Sequence, residues 1–453
     1  MRIATVVIFV GAVGSARADT PLDIGDAMAL APKHHPIAQQ HDATVRGAEA
    51  RVDVERARFW PEVEVFAQLD RSTSNTTGGA LFSVPGLPVV GGVPGRIFDL
   101  GAFGTAAGVT GSWDALGFRR WNREIDAAHA DAQAARLDAM VGELDLAFVA
   151  ADRFIAVIAH EQGVKAARFG VDRARVFVTT VKAAVDQNLR PGADLSRANA
   201  ELSLAETALI RAESAASVSL AQLAEALGTP DQTPAPQAGK LLGVPARPTF
   251  ATVPTATDAR VVAAGARVDA AKARKSVVET GTTPKLSLVG ALWARANGND
   301  IGGVRADGLV PDVPNWAAGV VFSWPVFSGM LVAPQARVED ANIARDQARA
   351  AETSQHEQSQ IAQAAAILDG AYRVVESTPI ALKAARDAEQ QATARYQAKL
   401  ATADDVAQAQ RLLEQAEIDD AVAQLEVWHA ILVYAYALGD LSLFTATYRA
   451  AGG

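Results

Sequence analysis

The side chains of this 453-residue chain that could do chemistry are few. His34, His35 and His41 lie close together near the start. Three imidazoles at that spacing could hold a metal. Pro32 and Pro36 interrupt the helix start there, however, and a helix start broken by proline favours solvated positions over a built site. His356-Glu357 begins a zinc-hydrolase helix motif but lacks its second histidine. No Gly-x-Ser-x-Gly elbow, P-loop or dinucleotide fingerprint is present, and there is no cysteine. Thiolate metal sites, disulfides, cysteine nucleophiles and an N-terminal lipid on cysteine are thereby excluded. No catalytic set, cofactor or metal is expected. Two aspartates are placed to a pattern. Thr402-Ala-Asp-Asp405 has capping-box spacing, with Thr402 as cap and Asp405 at the third helical position. Asp194 occupies the matching place after Pro191-Gly192. Acids there ordinarily cap a helix and are favoured by its dipole.

The elements that position these aspartates are very long. From Trp121 to about Gln187 the sequence reads as one helix without proline. At 1.5 Å per residue such a rod is on the order of 100 Å long, far beyond the usual ~11–12 residues. It stops at Asn188-Leu189-Arg190-Pro191-Gly192, and a return helix is expected over 194–227. A helix over 24–59 precedes it, ended by Trp60-Pro61. Between them the period becomes two. Glu62, Glu64, Gln68 and Asp70 alternate with Val63, Val65, Ala67 and Leu69, which predicts a strand over 61–72. A Gly/Ser/Thr/Pro loop covers 73–101, and a second strand is expected over 102–113 with Phe103, Ala107, Val109 and Trp113 on one face.

After an irregular stretch from Gly228 to about Thr257 the same order returns. A helix is expected over 258–279, strands over 285–295 and 315–324 around a loop at 297–314, a long helix over 334–398 bent or broken near Pro379, and a last helix over 403–438. The letters repeat as well. Ala50–Arg58 matches Ala266–Arg274 at six of nine positions. Ser112-Trp113, Leu189, Asp194 and Leu227-Gly228 recur as Ser323-Trp324, Leu400, Asp405 and Leu438-Gly439, each 211 residues on. The domains are therefore read as 1–18, a first repeat 19–240 and a second repeat 241–453. The two shorter helices of a repeat together match its long one, so they can lie beside it and bury Ala/Leu stripes as in a coiled coil.

Met1-Arg2, the apolar run Ile3–Val13 and Ser15-Ala16-Arg17-Ala18 read as a secretory signal peptide cleaved before Asp19. Its removal takes away Arg2 and Arg17 and moves the formal charge from −9 to −11. So acidic a chain is a poor partner for nucleic acid. No later segment offers eighteen consecutive apolar residues, so any membrane crossing must be by strands. Four strands of about ten residues with an apolar outer face leave edges that lipid does not tolerate, and closure by several copies removes them. Glu62, Glu64, Gln68, Asp70, Lys285 and Arg295 would then line water, and the opposite faces would meet outer-membrane lipid. Trp60, Trp113, Trp316 and Trp324, with Phe59, Phe322 and Phe327, would form an aromatic belt. The competing reading is a soluble hairpin pair with those tryptophans as its core.

The chain resembles the TolC-like outer-membrane efflux proteins. The resemblance is carried by AEARVDVERARFWPEVEVFAQ (48–68), its echo ARVDAAKAR (266–274) followed by PKLSLVGAL (284–292), FSWPVFSG (322–329), and the tips NLRPGADLSRANAEL (188–202) and ARYQAKLATADDVAQAQRLL (394–413). It implies a fold class of α plus transmembrane β-barrel: a homotrimer with four strands per subunit in a twelve-stranded barrel and twelve helices in a long periplasmic tunnel. It also implies an exit duct, not an enzyme, with a periplasmic adaptor and an inner-membrane transporter as partners, and a bacterial outer-membrane location. Leu189, Arg190, Pro191, Gly192, Asp194, Leu400, Ala401, Thr402 and Asp404 become adaptor-docking tips, and Asp405 aligns with a lumen-facing acid of an ionic ring. Gln408 stands where the family has a second acid, and Lys399 where it usually has glycine. The rival of another class is a soluble periplasmic coiled-coil adaptor. Such proteins usually carry one helical hairpin, and this chain carries two, each preceded by a strand pair.

Overall fold

Asp23 precedes an amphipathic first turn, and Ile24, Ala27, Met28 and Ala31 recur at three and four to fill one buried stripe of α1, Ile24–His34. In the computed structural model, which describes residues 21–72, 102–188, 190–248, 257–297 and 309–451, Pro32 stays inside that helix. The break falls at His35, whose extended backbone (φ −68°, ψ 134°) is what the following proline imposes. The chain then runs through α2 (Pro36–Ala57), β1 (Glu62–Ser72), β2 (Ala102–Asp114), α3 (Phe118–Asp186), α4 (Gly192–Ala226), α5 (Ala259–Glu279), β3 (Lys285–Asn297), β4 (Val313–Ser323), α6 (Gly329–Gln397), α7 (Ala403–Ala437) and α8 (Ser442–Ala450). The signal peptide expected at 1–18, the loop at 73–101, most of the loop at 297–314, Leu189 and the side chain of Asp70 lie outside the described residues.

The duplication is visible in element lengths. Long helices α3 and α6 each have 69 residues, and return helices α4 and α7 each have 35. α6 is one continuous helix through Pro379, where the sequence suggested a bend or break, and it starts at Gly329 rather than 334. A proline removes one hydrogen bond from a ladder of 69 residues, and the turns on either side hold the rod together. Both return helices end on a left-handed glycine. Gly228 and Gly439 have φ +72°, and the next amides, of Thr229 and Asp440, donate back to Ala224 O and Ala435 O at 2.9 and 3.1 Å. That pattern is a Schellman cap, which glycine's missing Cβ permits.

Contacts group the chain into two units. The first comprises 1–42, 139–261 and 353–453. Its core packs Ile24 and Met28 of α1 with Phe154 and Ile158 of α3, Leu223 of α4, Trp428 and Ile431 of α7 and Phe444 of α8. Two polar groups at this core find partners. Trp428 Nε1 donates to Gly243 O at 2.9 Å, and Tyr448 Oη donates to Asp23 Oδ1 at 2.7 Å. The second unit comprises 43–138 and 262–352 and holds an antiparallel sheet in the order β1-β2-β3-β4. Among the described residues no helix is long and apolar enough to cross a membrane.

Candidate functional site

Strand pairing decides which side chains share a face. The row through Val65 passes Val109, Leu292 and Trp316, and the rows beside it add Val63, Leu288 and Val320. This apolar face is bare: Val65, Leu292 and Trp316 are 78, 67 and 76 % exposed. An exposed apolar surface of this extent marks contact with something other than water. The alternative of a soluble hairpin pair with a buried face is not what the second unit shows. The other face carries Glu62, Glu64, Gln68, Lys285 and Arg295, with small residues Ala106, Gly108, Thr110, Ala317 and Gly319 between them. It also carries two large rings that strand alternation leaves unassigned, Phe66 and Trp293, on one row with Gly108 between them. A Cβ at Gly108 would stand 2.4 Å from Leu292 O and 2.5 Å from the Cβ of Trp293, so glycine is required there.

The four tryptophans assigned to a belt separate. Trp60 and Trp324 are exposed beyond the helix-side ends of β1 and β4, while Trp316 is exposed near the opposite end of β4. Trp113 instead turns into a cluster with Phe59, Phe118 and Trp121, its ring 5.9 Å from Phe118 edge-on, and its Nε1 donates to Phe59 O at 2.9 Å. The cluster pulls Trp113 off the open face because Phe118 and Trp121, one helical turn apart on α3, reach back to it.

The two turns between long and return helices lie in the first unit, and both use a left-handed residue that is not glycine. Asn188 has φ 58° and Lys399 has φ 65°. Lys399 therefore adopts the conformation that glycine would hold more cheaply. Leu400 N donates to Arg395 O at 2.8 Å and Lys399 N to Tyr396 O at 3.0 Å, closing the same cap seen at Gly228. Arg190 ties one tip to the other. Its guanidinium lies 4.4 Å over the Tyr396 ring and donates to Tyr396 O at 2.8 Å and Ala401 O at 3.1 Å. Arg190 and Tyr396 are 206 residues apart, so nothing in the sequence announces this staple. Burial first, and the nearby Asp194 carboxylate second, raise the Tyr396 hydroxyl above its ordinary value.

Asp405 is held by its cap. Its Oδ2 accepts from Thr402 N at 2.7 Å and Thr402 Oγ1 at 2.8 Å, and Asp405 N donates to Thr402 Oγ1 at 3.3 Å. The Thr402 backbone bond, then its hydroxyl, keep this carboxyl below the usual carboxylate range. Asp404 pairs with Arg197 and accepts from Gln408 Nε2 at 2.8 Å. Leu400, Pro191 and Gly192 are exposed. At the other tip Asp194 N donates to Pro191 O at 3.0 Å, and the N-cap position is Pro191, which has no side chain to cap with.

One cluster in the first unit was not foreseen. Arg260, in the first turn of α5, donates from Nη1 to Glu357 Oε2 at 2.5 Å and from Nη2 to Tyr436 O at 2.9 Å, with its guanidinium 4.2 Å over the Tyr436 ring. Asp258 Oδ1 accepts from Arg260 N at 2.7 Å, and Tyr436 Oη donates to Asp145 Oδ1 at 2.8 Å. Burial, reinforced by the Asp145 bond, pushes the Tyr436 hydroxyl up to about 12. The Glu357 that sequence reading set aside as half a zinc motif is the buried partner of an arginine. The histidines near the start do not converge. His35 Nδ1 accepts from Ile37 N at 3.2 Å, while His41 stands against Gly142 on α3. Among the described residues no group of three or more His, Cys, Asp or Glu side chains could hold a metal ion.

This is an α-helical tunnel and β-barrel type of chain, and comparison with known proteins agrees. The family model described as outer membrane efflux protein matches residues 29–229. Solved structures share the fold across almost the whole chain. The outer-membrane channel OprN is 20 % identical, with a TM-score of 0.71, covering 92 % of this chain and 89 % of its own. The outer membrane protein VceC of Vibrio cholerae is 18 % identical, with a TM-score of 0.73 and coverage of 92 % and 96 %. CusC, described as forming a transmembrane channel, is 13 % identical, with a TM-score of 0.75 and coverage of 94 % and 96 %. No curated protein sequence matches the chain. With duplicated helical hairpins, a bare apolar sheet face and a first repeat that matches the outer membrane efflux protein model, the chain shares the fold of these outer-membrane channels over more than nine-tenths of its length.

Proposed function

We propose that the protein is the trimeric outer-membrane exit duct of an efflux assembly that includes a periplasmic adaptor and an inner-membrane transporter. The observation that carries this reading is the sheet. It has one bare apolar face, one polar face, and two outer strands, β1 and β4, whose far edges have no partner strand among the described residues. In lipid such edges cost several kcal/mol per unpaired group. Three copies supply twelve strands, enough to close an aqueous barrel. Strands of 11 and 13 residues, tilted as barrel strands are, suit an apolar band of about 25 Å. The polar face with Glu62, Glu64, Gln68, Lys285 and Arg295 then lines the pore.

Further apolar residues support self-assembly. Phe169 and Val176 on α3, and Ile367 and Val374 on α6, are exposed at a spacing of seven, as a coiled-coil seam awaiting a partner helix requires. The tips, with exposed Leu400 beside Pro191-Gly192, are proposed as the adaptor-docking surface, and Asp405 as one acid of a ring at the tunnel end. A carboxylate held below its usual range stays charged in the periplasm, and three copies would favour cations. Asp405→Asn is expected to lower the cation preference of single channels; unchanged selectivity removes Asp405 from the ring. The whole reading is tested by the detergent-corrected mass of protein extracted from outer membranes. Three chains support it, and a soluble single chain in the periplasm restores the adaptor reading.

A further inference from the structure

The repeats differ where their second strands turn into their long helices. After β2, Phe59 covers the corner: its ring lies 4.9 Å from Trp121, and its carbonyl accepts the Trp113 indole N–H at 2.9 Å. Arg120 reaches Asp114 Oδ2 at 3.3 Å beside it. At the corner after β4, 211 residues on, Asp114, Leu116, Arg119 and Arg120 become Pro325, Phe327, Met330 and Leu331, and Trp121 becomes Val332. The residue two before Pro284, which precedes β3, is Thr282, where Phe59 stands before Pro61. The second corner thus gains apolar surface and loses its aromatic cover. Phe327 and Met330 are 81 and 78 % exposed, with Trp324 and Leu331 exposed beside them.

The strand that follows β4 in a closed barrel is β1 of a second copy, and β1 is entered through Trp60, itself 78 % exposed. The stagger of the sheet brings these two ends together. The row through Glu62 passes Ser112, Val289 and Gly319, so that Ser323 lies four residues past it on the helix side. Barrel strands tilted by ~35–45° require the next copy to continue that step in the same direction. The end of β4 then lies level with the entry to the next β1. We propose that Trp60 of one copy packs onto the Trp324–Leu331 corner of the next. This aromatic clasp at the helix-side end of each subunit seam repeats between chains what Phe59 does within one. The proposal rests on the trimeric barrel reading and adds to it the residues that close the seam. An aromatic pair contributes beyond its buried area, and a tryptophan with one apolar flank and one wet edge suits a membrane boundary.

The chain's lack of cysteine makes the test direct. Trp60→Cys is combined with Phe327→Cys, and separately with Met330→Cys to span neighbouring positions. Oxidation in isolated outer membranes is read on a non-reducing gel. At least one pair is expected to link chains up to the trimer, since a disulfide needs Cβ atoms about 3.5–4.5 Å apart, while each single variant stays unlinked. Both pairs unlinked in protein whose detergent-corrected mass is three chains overturns the clasp and leaves the trimer standing. A mass of one chain overturns the trimer itself and the clasp with it. Trp60→Phe and Trp60→Ala give a second measure. The temperature at which detergent dissociates the oligomer should fall for alanine and hold for phenylalanine. Equal temperatures for alanine and wild type assign Trp60 to lipid and refute the clasp.

Discussion

Replacing Arg260 by methionine removes the centre of a buried network while keeping the volume of the stem. Two hydrogen bonds are lost, at 2.5 Å to Glu357 and 2.9 Å to the Tyr436 carbonyl, together with the stack 4.2 Å over the Tyr436 ring. Left behind are the Glu357 and Asp258 side chains, only 5 % and 4 % exposed. Breaking a buried pair by removing one partner costs ~3–5 kcal/mol, because the remaining charge has neither water nor partner. Arg260→Met/Glu357→Gln should recover more than half of the loss, since no charge is then stranded at 357. Thermal unfolding of the detergent-extracted protein, followed by helical circular dichroism, measures both variants. Two substitutions whose effects simply add would refute the reasoning.

Three further outcomes follow from other parts of the chain. Val65→Arg, on the bare apolar face, should destabilise insertion by ~2–4 kcal/mol near the membrane midplane, whereas Glu64→Arg on the opposite face should cost little; urea unfolding from lipid vesicles distinguishes them. Lys399→Gly should stabilise by roughly 0.5–1 kcal/mol, the left-handed penalty relieved less the flexibility glycine adds to the unfolded chain, seen as a raised unfolding temperature. Thr402→Ala should cost about 1 kcal/mol as a lost cap. Asp405 sits below its usual range in the fold, so its share of stability is present above the ordinary carboxylate range and is lost as acid protonates it in the folded state. Wild type should therefore lose stability more steeply than Thr402→Ala on acidification; parallel pH profiles would count against the capping box.

Much of the architecture is local and so was legible in the letters. Alternation from Glu62 to Asp70 is a property of the pleat, where successive side chains point to opposite faces. The absence of proline from Trp121 to Gln187 and the Pro191-Gly192 stop are likewise local. The offset of 211 residues, which carries Gly228 to Gly439 and Asn188 to Lys399, made the second repeat readable from the first. Pro379 misled because propensity weighs one residue, while the helix around it is fixed by packing along its length. Trp113 misled for a related reason. Its place in the strand pattern is that of a belt residue, but Phe59, Phe118 and Trp121 compete for its ring.

By itself the sequence determined a cysteine-free, duplicated chain of rods and short amphipathic strands, because period, caps and breakers act over a few residues. The tertiary structure decided the rest. It decided that Arg190 staples the tips through Tyr396, and that Arg260 and Glu357 meet inside the second repeat, where their counterparts in the first are Thr44 and Leu146. It also decided that Phe66, Gly108 and Trp293 share one row. These depend on register and on contacts across as many as 206 residues, and no local pattern encodes which of two distant side chains will fill the space the other leaves.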